Sequence, residues 1–296
     1  MNKSPVFESL AVVGPGLIGS SLLRRSKENG DIARYLIAID HDPSVVKRAK
    51  ELELADFYTT DLAAGVKNAD AVILCTPTGS IETLASDALK HMQPGSILSD
   101  VASVRGKLGP KISSLLPKNI HYIPAHPMAG TEFSGPDAGF STLFENRWCL
   151  VVPPENSSES AISKIELLWQ KCGARTRRIT DEYHDHVCAM VSHLPHLLAF
   201  TICDTADRLS SDLRADVLEY AASGFRDFTR IAASDPIMWR DIFLANRDVI
   251  LEILERFQKE TEKMAQAIRD EKSEDITDRI KRGRRIRQTL IANHQA

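Results

Sequence analysis

The sequence predicts two domains: an α/β N-terminal domain built on a parallel sheet, and an all-α C-terminal domain. In the first half, short apolar segments alternate with segments long enough to form a helix. The short segments are apolar on both faces, which is typical of parallel strands covered by helices on both sides. Beyond about residue 180 only helical spacing remains. We therefore expect domains at residues 1–180 and 181–296.

The predicted strands of the first domain are short and bounded by turn-forming residues. They lie at residues 9–13, 35–40, 71–76, 96–101, 120–124 and 149–152. A further strand at 174–179 follows a helix predicted over 162–171. We expect these strands to form one sheet.

The second domain contains two apolar helical patterns. Residues 186–206 are apolar nearly all round, which predicts a helix buried against other helices. A domain this small has too few other helices to bury such a helix completely, and a second subunit would cover the rest of its apolar surface. Farther on, apolar residues recur at sums of three and four and predict one face of a long amphipathic helix: Ile242, Val249, Ile253, Phe257, Met264 and Ile268.

Composition favours a globular protein of the cytoplasm. The hydrophobic fraction is 43%, the charged fraction is 26% and the net charge is −3, a balance that does not favour nucleic-acid binding. The basic cluster at 281–288 follows an acidic stretch and is interpreted as a solvated helix end. No apolar run approaches the roughly 20 residues that span a bilayer, so we expect no membrane partner.

The N-terminus and the cysteines agree with that compartment. The first nine residues, MNKSPVFES, lack the apolar core of a signal peptide. The five cysteines are scattered and include no CxxC pair, which predicts reduced thiols rather than a disulfide framework.

The stretch GPGLIG, which follows the first predicted strand, indicates a dinucleotide site. Gly14 would form the tight turn, Gly16 would let the pyrophosphate approach, and Gly19 would pack the helix on the strand. Leu17 and Ile18 begin that helix, whose N-terminus offers unpaired N–H groups to phosphate. The sequence thus predicts a Rossmann-type domain.

Asp40 ends the next strand, at the position where a carboxylate binds the adenosine ribose hydroxyls and repels a 2′-phosphate. His41 and Asp42 follow, with no arginine to accept that phosphate, so we expect NAD rather than NADP. Thr76 and Pro77 follow the third apolar strand and Ser103 follows the fourth. Since ligands bind at the carboxyl ends of parallel strands, these residues are expected near the nicotinamide.

The stretch HPMAG supplies a candidate base. Pro127 pushes His126 towards an extended conformation at the end of a strand, where functional side chains are often displayed. A dehydrogenase needs a group that takes a proton while hydride leaves the substrate carbon, and histidine suits that role at neutral pH. An ordinary loop histidine remains the alternative. Ser103 could bond either this histidine or the substrate hydroxyl.

The helical half contributes further candidates. SHLPH contains His193 and His196, and GFRDFTRIAASDP contains Arg226 and Arg230, either of which could clamp a carboxylate. A surface ion pair is the alternative for each arginine. His184 and His186 in YHDH point to different sides of a helix, and Cys188 does not complete a tetrahedral set. We therefore predict no metal site.

Together these motifs resemble one family, the prephenate and arogenate dehydrogenases of tyrosine biosynthesis. The resemblance runs in order through GPGLIGSS, DVASVR, HPMAG, SHLPH and GFRDFTRIAASDP, which covers nearly the whole chain. It implies an NAD-dependent oxidoreductase that converts prephenate to 4-hydroxyphenylpyruvate and carbon dioxide. It also implies a homodimer formed through an all-α C-terminal dimerisation domain.

The resemblance also implies roles for residues at matching positions. His126 would polarise and deprotonate the ring 4-hydroxyl, and Ser103 would assist it and contact the nicotinamide. His193 and Arg230 would bind the substrate, with Arg230 holding a carboxylate. Thr131 and Glu132 match positions that line the same pocket. Trp239 would lie near the site, where the helical domains approach each other.

Three alternatives stay open. Arogenate, which carries an amino group where prephenate has a keto group, could be the substrate instead. A hydroxy-acid-type dehydrogenase shares the fold, but SHLPH and GFRDFTRIA lack the lysine such enzymes typically use as the base. A non-catalytic NAD-sensing protein would need none of four candidate residues: His126, Ser103, His193 and Arg230.

Overall fold

A computed structural model describes residues 4–106, 108–131 and 133–292. Its main sheet has six parallel strands in the order β3-β2-β1-β4-β5-β6. The order reverses between β1 and β4, so the crevice at their carboxyl ends is the expected ligand site of such a sheet. The strands are β1 Phe7–Val13, β2 Ala33–Ile39, β3 Phe57–Thr59, β4 Ala71–Leu74, β5 Ile97–Asp100 and β6 His121–Tyr122.

Helices cover both faces of this sheet. Because side chains alternate along a strand, Leu10 and Val12 of β1 enter one hydrophobic core while Ala11 and Val13 enter the other. This double burial explains why the strands are apolar on both faces. The connecting helices are α1 Leu17–Asn29, α2 Pro43–Glu51, α3 Leu62–Val66, α4 Thr78–Leu89 and α5 Leu108–Leu115.

The last strands form a second sheet, where the sequence pattern predicted one sheet. β7 Ala125–Pro127 pairs antiparallel with β8 Trp148–Val151, and β8 pairs parallel with β9 Arg175–Arg178. Helix α6, Glu159–Lys171, joins β8 to β9. His126 lies within β7, opposite Leu150, and is therefore a strand residue and not a loop residue. Pro127 fits there because β7 is an edge strand.

Every regular element after Thr180 in the described chain is helical. The parallel α/β sheet and the helical region that follows confirm the predicted fold class. A π-helical turn, Ala189–His193, links α7 to α8, and a 3₁₀ turn, Arg230–Ala233, links α10 to α11. The helices are α7 Asp181–Cys188, α8 Leu194–Asp207, α9 Ser211–Glu219, α10 Ser223–Thr229, α11 Pro236–Ala245, α12 Arg247–Arg269 and α13 Ser273–Ala292.

Two features of these helices differ from the sequence pattern. The long amphipathic helix is interrupted at Asn246, which ends α11, so Ile242 lies on a different helix from Val249. The apolar segment around α8 is largely exposed in the single chain: Met190 and Val191 are 56% and 57% exposed. Contacts divide the chain into compact units at 1–247 and 248–296.

The helical stretch Asp181–Asp207 is long and apolar enough to cross a membrane by length and composition alone, since its most apolar 18-residue window has a mean hydropathy of 1.4. This corrects the expectation that no such stretch exists. Helices of soluble proteins pass the same test, and this one contains the buried polar residues His184, Asp185 and His193. The stretch is therefore weak support for a membrane span.

Candidate active site

The glycine turn after β1 has the geometry of a phosphate-binding loop. Gly14 has φ of +84°, a conformation that favours glycine. A Cβ on Gly19 would lie 2.3 Å from the backbone oxygen of Gly14, so only glycine lets the helix approach the strand this closely. Gly16 precedes α1, and a Cβ there would meet nothing within 4 Å. The turn therefore leaves open space beside the first N–H groups of α1, which Leu17 and Ile18 begin.

Asp40 immediately follows β2, at the carboxyl edge of the sheet. Its Oδ1 accepts a hydrogen bond from the backbone N–H of Asp42 at 2.9 Å, and its side chain is 14% exposed. That bond holds the carboxylate in a fixed orientation near the glycine turn. The arrangement fits an adenosine ribose, whose hydroxyls need an acceptor at this position.

Thr76, Pro77 and Ser103 lie at the ends of the neighbouring strands. Thr76 packs directly against the glycine turn, since a Cβ on Gly14 would lie 2.7 Å from its methyl group. Pro77 is the N-cap of α4, and Ser103 lies, half-buried, just after β5. The structure therefore gathers the predicted cofactor residues along one edge of the sheet.

His126 is buried in β7 and forms a hydrogen bond with a second histidine. Its Nδ1 lies 2.9 Å from Nε2 of His184, which belongs to α7. The Cys188 thiol, one turn along α7, lies 3.7 Å from the His126 nitrogen and 3.5 Å from the His184 nitrogen. The two rings therefore meet in a buried contact.

A carboxylate holds the second histidine. Nδ1 of His184 lies 2.8 Å from Oδ1 of Asp185, which also accepts the backbone N–H of Arg105 at 2.8 Å. The other oxygen of Asp185 accepts the N–H of Gly106 at 2.6 Å. These hydrogen bonds tie α7 to the turn that carries Ser103.

The pKa values in this cluster favour neutral histidines beside an ionised carboxylate. Burial lowers the pKa of His126 well below its usual value, and electrostatic repulsion between its protonated form and His184, Arg105 and His193 lowers it further. Burial also lowers the pKa of His184, although the bond to Asp185 opposes that shift. For Asp185 burial raises the pKa, but the bonds from His184 and two backbone N–H groups outweigh it, so the pKa is lowered.

A buried ion pair lies under the same turn. Arg105 is fully buried and donates from Nη2 to Asp100 at 2.5 Å and to the backbone oxygen of Ala102 at 2.7 Å. Tyr122 donates its hydroxyl to the other oxygen of Asp100 at 2.6 Å. These bonds fix the chain that leads from β5 to Ser103.

His193 lies in the π-helical turn and is also buried. Burial lowers its pKa to about 4. Its Nδ1 lies 3.2 Å from Nδ2 of Asn246, and its Nε2 makes no hydrogen bond of full geometry among the described residues, although the backbone of Ser103 is close enough to the ring to oppose the lowering of its pKa. An unpartnered polar atom in a buried position is the kind of group that a ligand completes.

An aromatic cluster borders His193. The indole of Trp239 stacks on His196, with ring centroids 3.7 Å apart, and meets His193 edge-on at 6.1 Å. Phe200 and Phe243 complete the cluster around Trp239. The sequence resemblance placed Trp239 near the site, and the structure places it beside His193.

Two further predicted substrate residues, Arg230 and Thr131, are exposed. Arg230 begins the 3₁₀ turn after α10, and its charge contributes to a lowered pKa at His196. Thr131 lies in the loop after β7, where its hydroxyl accepts the N–H of Phe133. Glu132 lies outside the described residues.

The hydrogen-bond partners of His126 were not evident from the sequence. The local pattern paired His184 with His186 as possible metal ligands, whereas in the structure His184 contacts His126, with Cys188 beside them. One ligand atom from each of these three residues lies within 4.8 Å of the others. The 2.9 Å separation of the ring nitrogens is that of a hydrogen bond, whereas two tetrahedral zinc ligands at their usual bond lengths lie about 3.3 Å apart. The absence of a functional metal stays a prediction.

Two family models match successive parts of the chain. Residues 23–178 match the model described as prephenate dehydrogenase, nucleotide-binding domain. Residues 180–282 match the model described as prephenate dehydrogenase, dimerization domain.

The chain is also similar to individual proteins over almost its whole length. It is 34% identical to the cyclohexadienyl dehydrogenase of Zymomonas mobilis, over 98% of both chains. Prephenate dehydrogenase from Aquifex aeolicus, in a crystal structure with hydroxyphenyl propionate and NAD⁺, is 29% identical, with a TM-score of 0.89 over 96% of this chain and 98% of that one. Arogenate dehydrogenase of Synechocystis is 25% identical, with a TM-score of 0.81 over 95% and 99%.

Proposed function

Because the chain belongs to the prephenate dehydrogenase family, we propose that it oxidises prephenate with NAD and decarboxylates it. The products are 4-hydroxyphenylpyruvate, carbon dioxide and NADH. The observation that carries the proposal is the buried contact between His126 and His184, which supplies a neutral histidine in the domain that holds the glycine turn. The activity belongs to tyrosine biosynthesis.

The cofactor proposal rests on the glycine turn and Asp40. The open space at Gly16 suits a pyrophosphate, which the first N–H groups of α1 would bind. The Asp40 carboxylate would accept the ribose hydroxyls and repel the 2′-phosphate of NADP. Thr76, Pro77 and Ser103 would contact the nicotinamide end. When bound, NAD supplies the acceptor for hydride from the substrate ring.

Each side chain of the proposed mechanism has a distinct task. His126 accepts the proton of the ring 4-hydroxyl as hydride departs, and Ser103 orients that hydroxyl. His193 and Arg230 bind the substrate, with Arg230 clamping a carboxylate, and Thr131 and Glu132 line the pocket. The oxidised ring loses carbon dioxide as it becomes aromatic, so the step is effectively irreversible. Orientation, a base and a carboxylate clamp suffice for this chemistry.

We also propose that the chain forms a homodimer through residues 181–296, with residues 1–180 as the dinucleotide-binding domain. The exposed apolar surface of Asp181–Asp207 supports this, since only 28% of its most apolar window is buried in the single chain. A second copy would cover that surface. If a second copy covers this apolar surface, no membrane is needed to bury it, which agrees with a cytoplasmic enzyme.

Arogenate is the second candidate substrate. The fold similarity to an arogenate dehydrogenase favours it, and only a keto or an amino group distinguishes the two compounds. An ammonium group would favour an acidic partner, for which Glu132 and Asp227 are the candidates. The neutral or basic groups His193, Arg226 and Arg230 favour prephenate.

NADH formation by the purified protein, with prephenate or arogenate and with NAD or NADP, tests the proposal. We expect faster turnover with prephenate and NAD. A preference for arogenate would keep the mechanism and change the substrate, whereas no turnover with either compound would revive the sensor hypothesis. His126→Asn should abolish turnover and leave NAD affinity nearly unchanged; normal turnover would remove His126 from the mechanism.

A further inference from the structure

We propose that His184 and Asp185 are positioning residues that set the tautomer of His126, so that Nε2 of His126 carries the lone pair that accepts the substrate proton. The inference rests on the proposed function, since it deepens the role of His126 as the base. Two hydrogen bonds connect the three side chains, one from His184 to Asp185 and one between His184 and His126.

Asp185 determines where the first proton lies. An ionised carboxylate only accepts hydrogen bonds, and this one already accepts the N–H groups of Arg105 and Gly106. Nδ1 of His184, 2.8 Å from the same carboxylate, must therefore carry a proton. Asp185 thereby selects one tautomer of His184.

The next hydrogen bond transmits that choice. A neutral imidazole has one N–H and one lone pair, so His184 protonated at Nδ1 presents a lone pair at Nε2. Nδ1 of His126 lies 2.9 Å away and must donate to it. A neutral His126 that carries its proton on Nδ1 has its lone pair on Nε2, which is the atom left to face a substrate.

Surrounding groups keep both rings neutral before the reaction. The charged and titratable groups that act on them are Asp100 at the end of β5, Arg105 in the turn after β5, Asp185 and Cys188 from α7, and His193 from the π-helical turn. The Cys188 thiol stays protonated, because burial raises its pKa to about 12. At 3.5 Å from Nε2 of His184, its sulfur is a weaker partner than His126.

The proton balance then follows. The O–H bond of the substrate breaks, and the proton forms a new N–H bond at Nε2 of His126. His126 becomes an imidazolium with both nitrogens protonated, and its Nδ1–H continues to donate to His184. The negative charge of Asp185, transmitted through His184, stabilises that cation. The arrangement parallels a carboxylate that orients a catalytic histidine, with one extra imidazole between them.

The first test compares His184→Gln and Asp185→Asn with His186→Gln. His186 lies on the same helix, but its Nδ1 bonds the backbone oxygen of Glu182. We expect kcat to fall by roughly 10²- to 10⁴-fold in the first two variants, with KM for NAD nearly unchanged and the acid limb of the kcat profile displaced. His186→Gln should behave as wild type. An active enzyme whose kcat and pH profile are unchanged in both variants would overturn the inference.

The second test needs no substrate and no variant. Nitrogen-15 NMR of the histidine side chains reports which ring nitrogen carries the proton. We expect His126 and His184 in the wild-type protein both to be protonated at Nδ1. A His126 ring protonated at Nε2 would overturn the inference even if the enzyme is active. The expected tautomer in a protein that turns over neither prephenate nor arogenate would uphold the relay and overturn the proposed function instead.

Discussion

Asn246 forms a bridge between His193 and the backbone of Asp185. Its Nδ2 lies 3.2 Å from Nδ1 of His193 and 3.0 Å from the Asp185 oxygen. A backbone oxygen only accepts, so the amide NH₂ faces both partners and His193 accepts at Nδ1. The proton of neutral His193 is then on Nε2, the buried nitrogen that makes no hydrogen bond of full geometry among the described residues. That N–H is suited to donate to an anionic substrate.

Replacing Asn246 should therefore affect both stability and substrate binding. Asn246→Asp keeps the shape but removes both amide donors, and it places a carboxylate against the Asp185 oxygen. We expect a loss of about 1–3 kcal/mol in the free energy of unfolding and a higher KM for prephenate. Urea unfolding and steady-state kinetics measure these effects. Asn246→Ala, which adds no charge, is the control; equal stability of wild type and both variants would contradict the bridge.

Gly16 and Gly19 should respond differently to alanine. In Gly19→Ala the new Cβ would meet the Gly14 backbone oxygen at 2.3 Å, so we expect the unfolding free energy to fall by about 1–3 kcal/mol. In Gly16→Ala the Cβ meets nothing within 4 Å of protein, so stability should hold. Its methyl would instead occupy the pyrophosphate space and raise KM for NAD at least about tenfold. Unchanged KM in Gly16→Ala would place the pyrophosphate elsewhere.

Asp40 should control the choice between NAD and NADP. Asp40→Ser removes the charge that repels a 2′-phosphate and weakens the bonds to the ribose. We expect the ratio of kcat/KM values for NAD and NADP to shift towards NADP by about 10- to 100-fold. Asp42→Ser is the matched control, because serine can still cap α2, which Asp42 now caps through the N–H of Ser44. An unchanged ratio in Asp40→Ser would remove Asp40 from cofactor recognition.

Arg230 should act on substrate affinity alone. Arg230→Gln removes the positive charge proposed to clamp a carboxylate, so we expect KM for prephenate to rise by about 10- to 100-fold while KM for NAD stays constant. Arg226→Gln, one turn earlier in the same region, gives the comparison and should change KM much less. A normal substrate KM in Arg230→Gln would make Arg230 a surface or interface charge.

Acid should destabilise the protein through its buried histidines. His193 has a folded-state pKa of about 4, below the ordinary 6.5, so the unfolded chain binds its proton first. The stabilisation that depends on neutral His193 is complete above pH 6.5 and is lost as the pH falls towards 4. The free energy of unfolding should fall by roughly 3 kcal/mol over this range. His193→Gln should flatten the fall of unfolding free energy with pH over this window. His186→Gln should leave the fall unchanged, and an equal slope in wild type and His193→Gln would contradict the burial.

Local patterns predicted the main sheet well. The strands that became β1, β2, β4 and β5 carry buried residues on both faces, and each of them contains a run of consecutive apolar residues. β3, with the sequence FYT and partly exposed side chains, lacks that signal. The second sheet was missed for a different reason: pairing between β7 and β8 is a long-range contact that periodicity does not encode.

The candidate site shows the same difference between local patterns and long-range contacts. The glycine turn and Asp40 were identifiable because backbone geometry and spacing determine their residue types. His184 was visible as a histidine, but its partner is 58 positions away in the chain, and only the tertiary fold brings the rings together. Asn246 carried no sequence signal, since nothing in the pattern marks the end of α11 as a contact of His193.

The π-helical turn at Ala189–His193 determines which residues this helix can bring to one buried side. His184 and His193 are nine positions apart in the sequence, and a continuous α-helix would turn through about 900° over that length, which places them on opposite faces. The wider turn changes the rotation, and both histidines are buried. A relative that kept this length but lost the wider turn would present only one of the two histidines, whereas a relative that lost one residue together with the turn would keep them about 80° apart on one side of the helix. The length of this segment and its wider turn should therefore change together in descent.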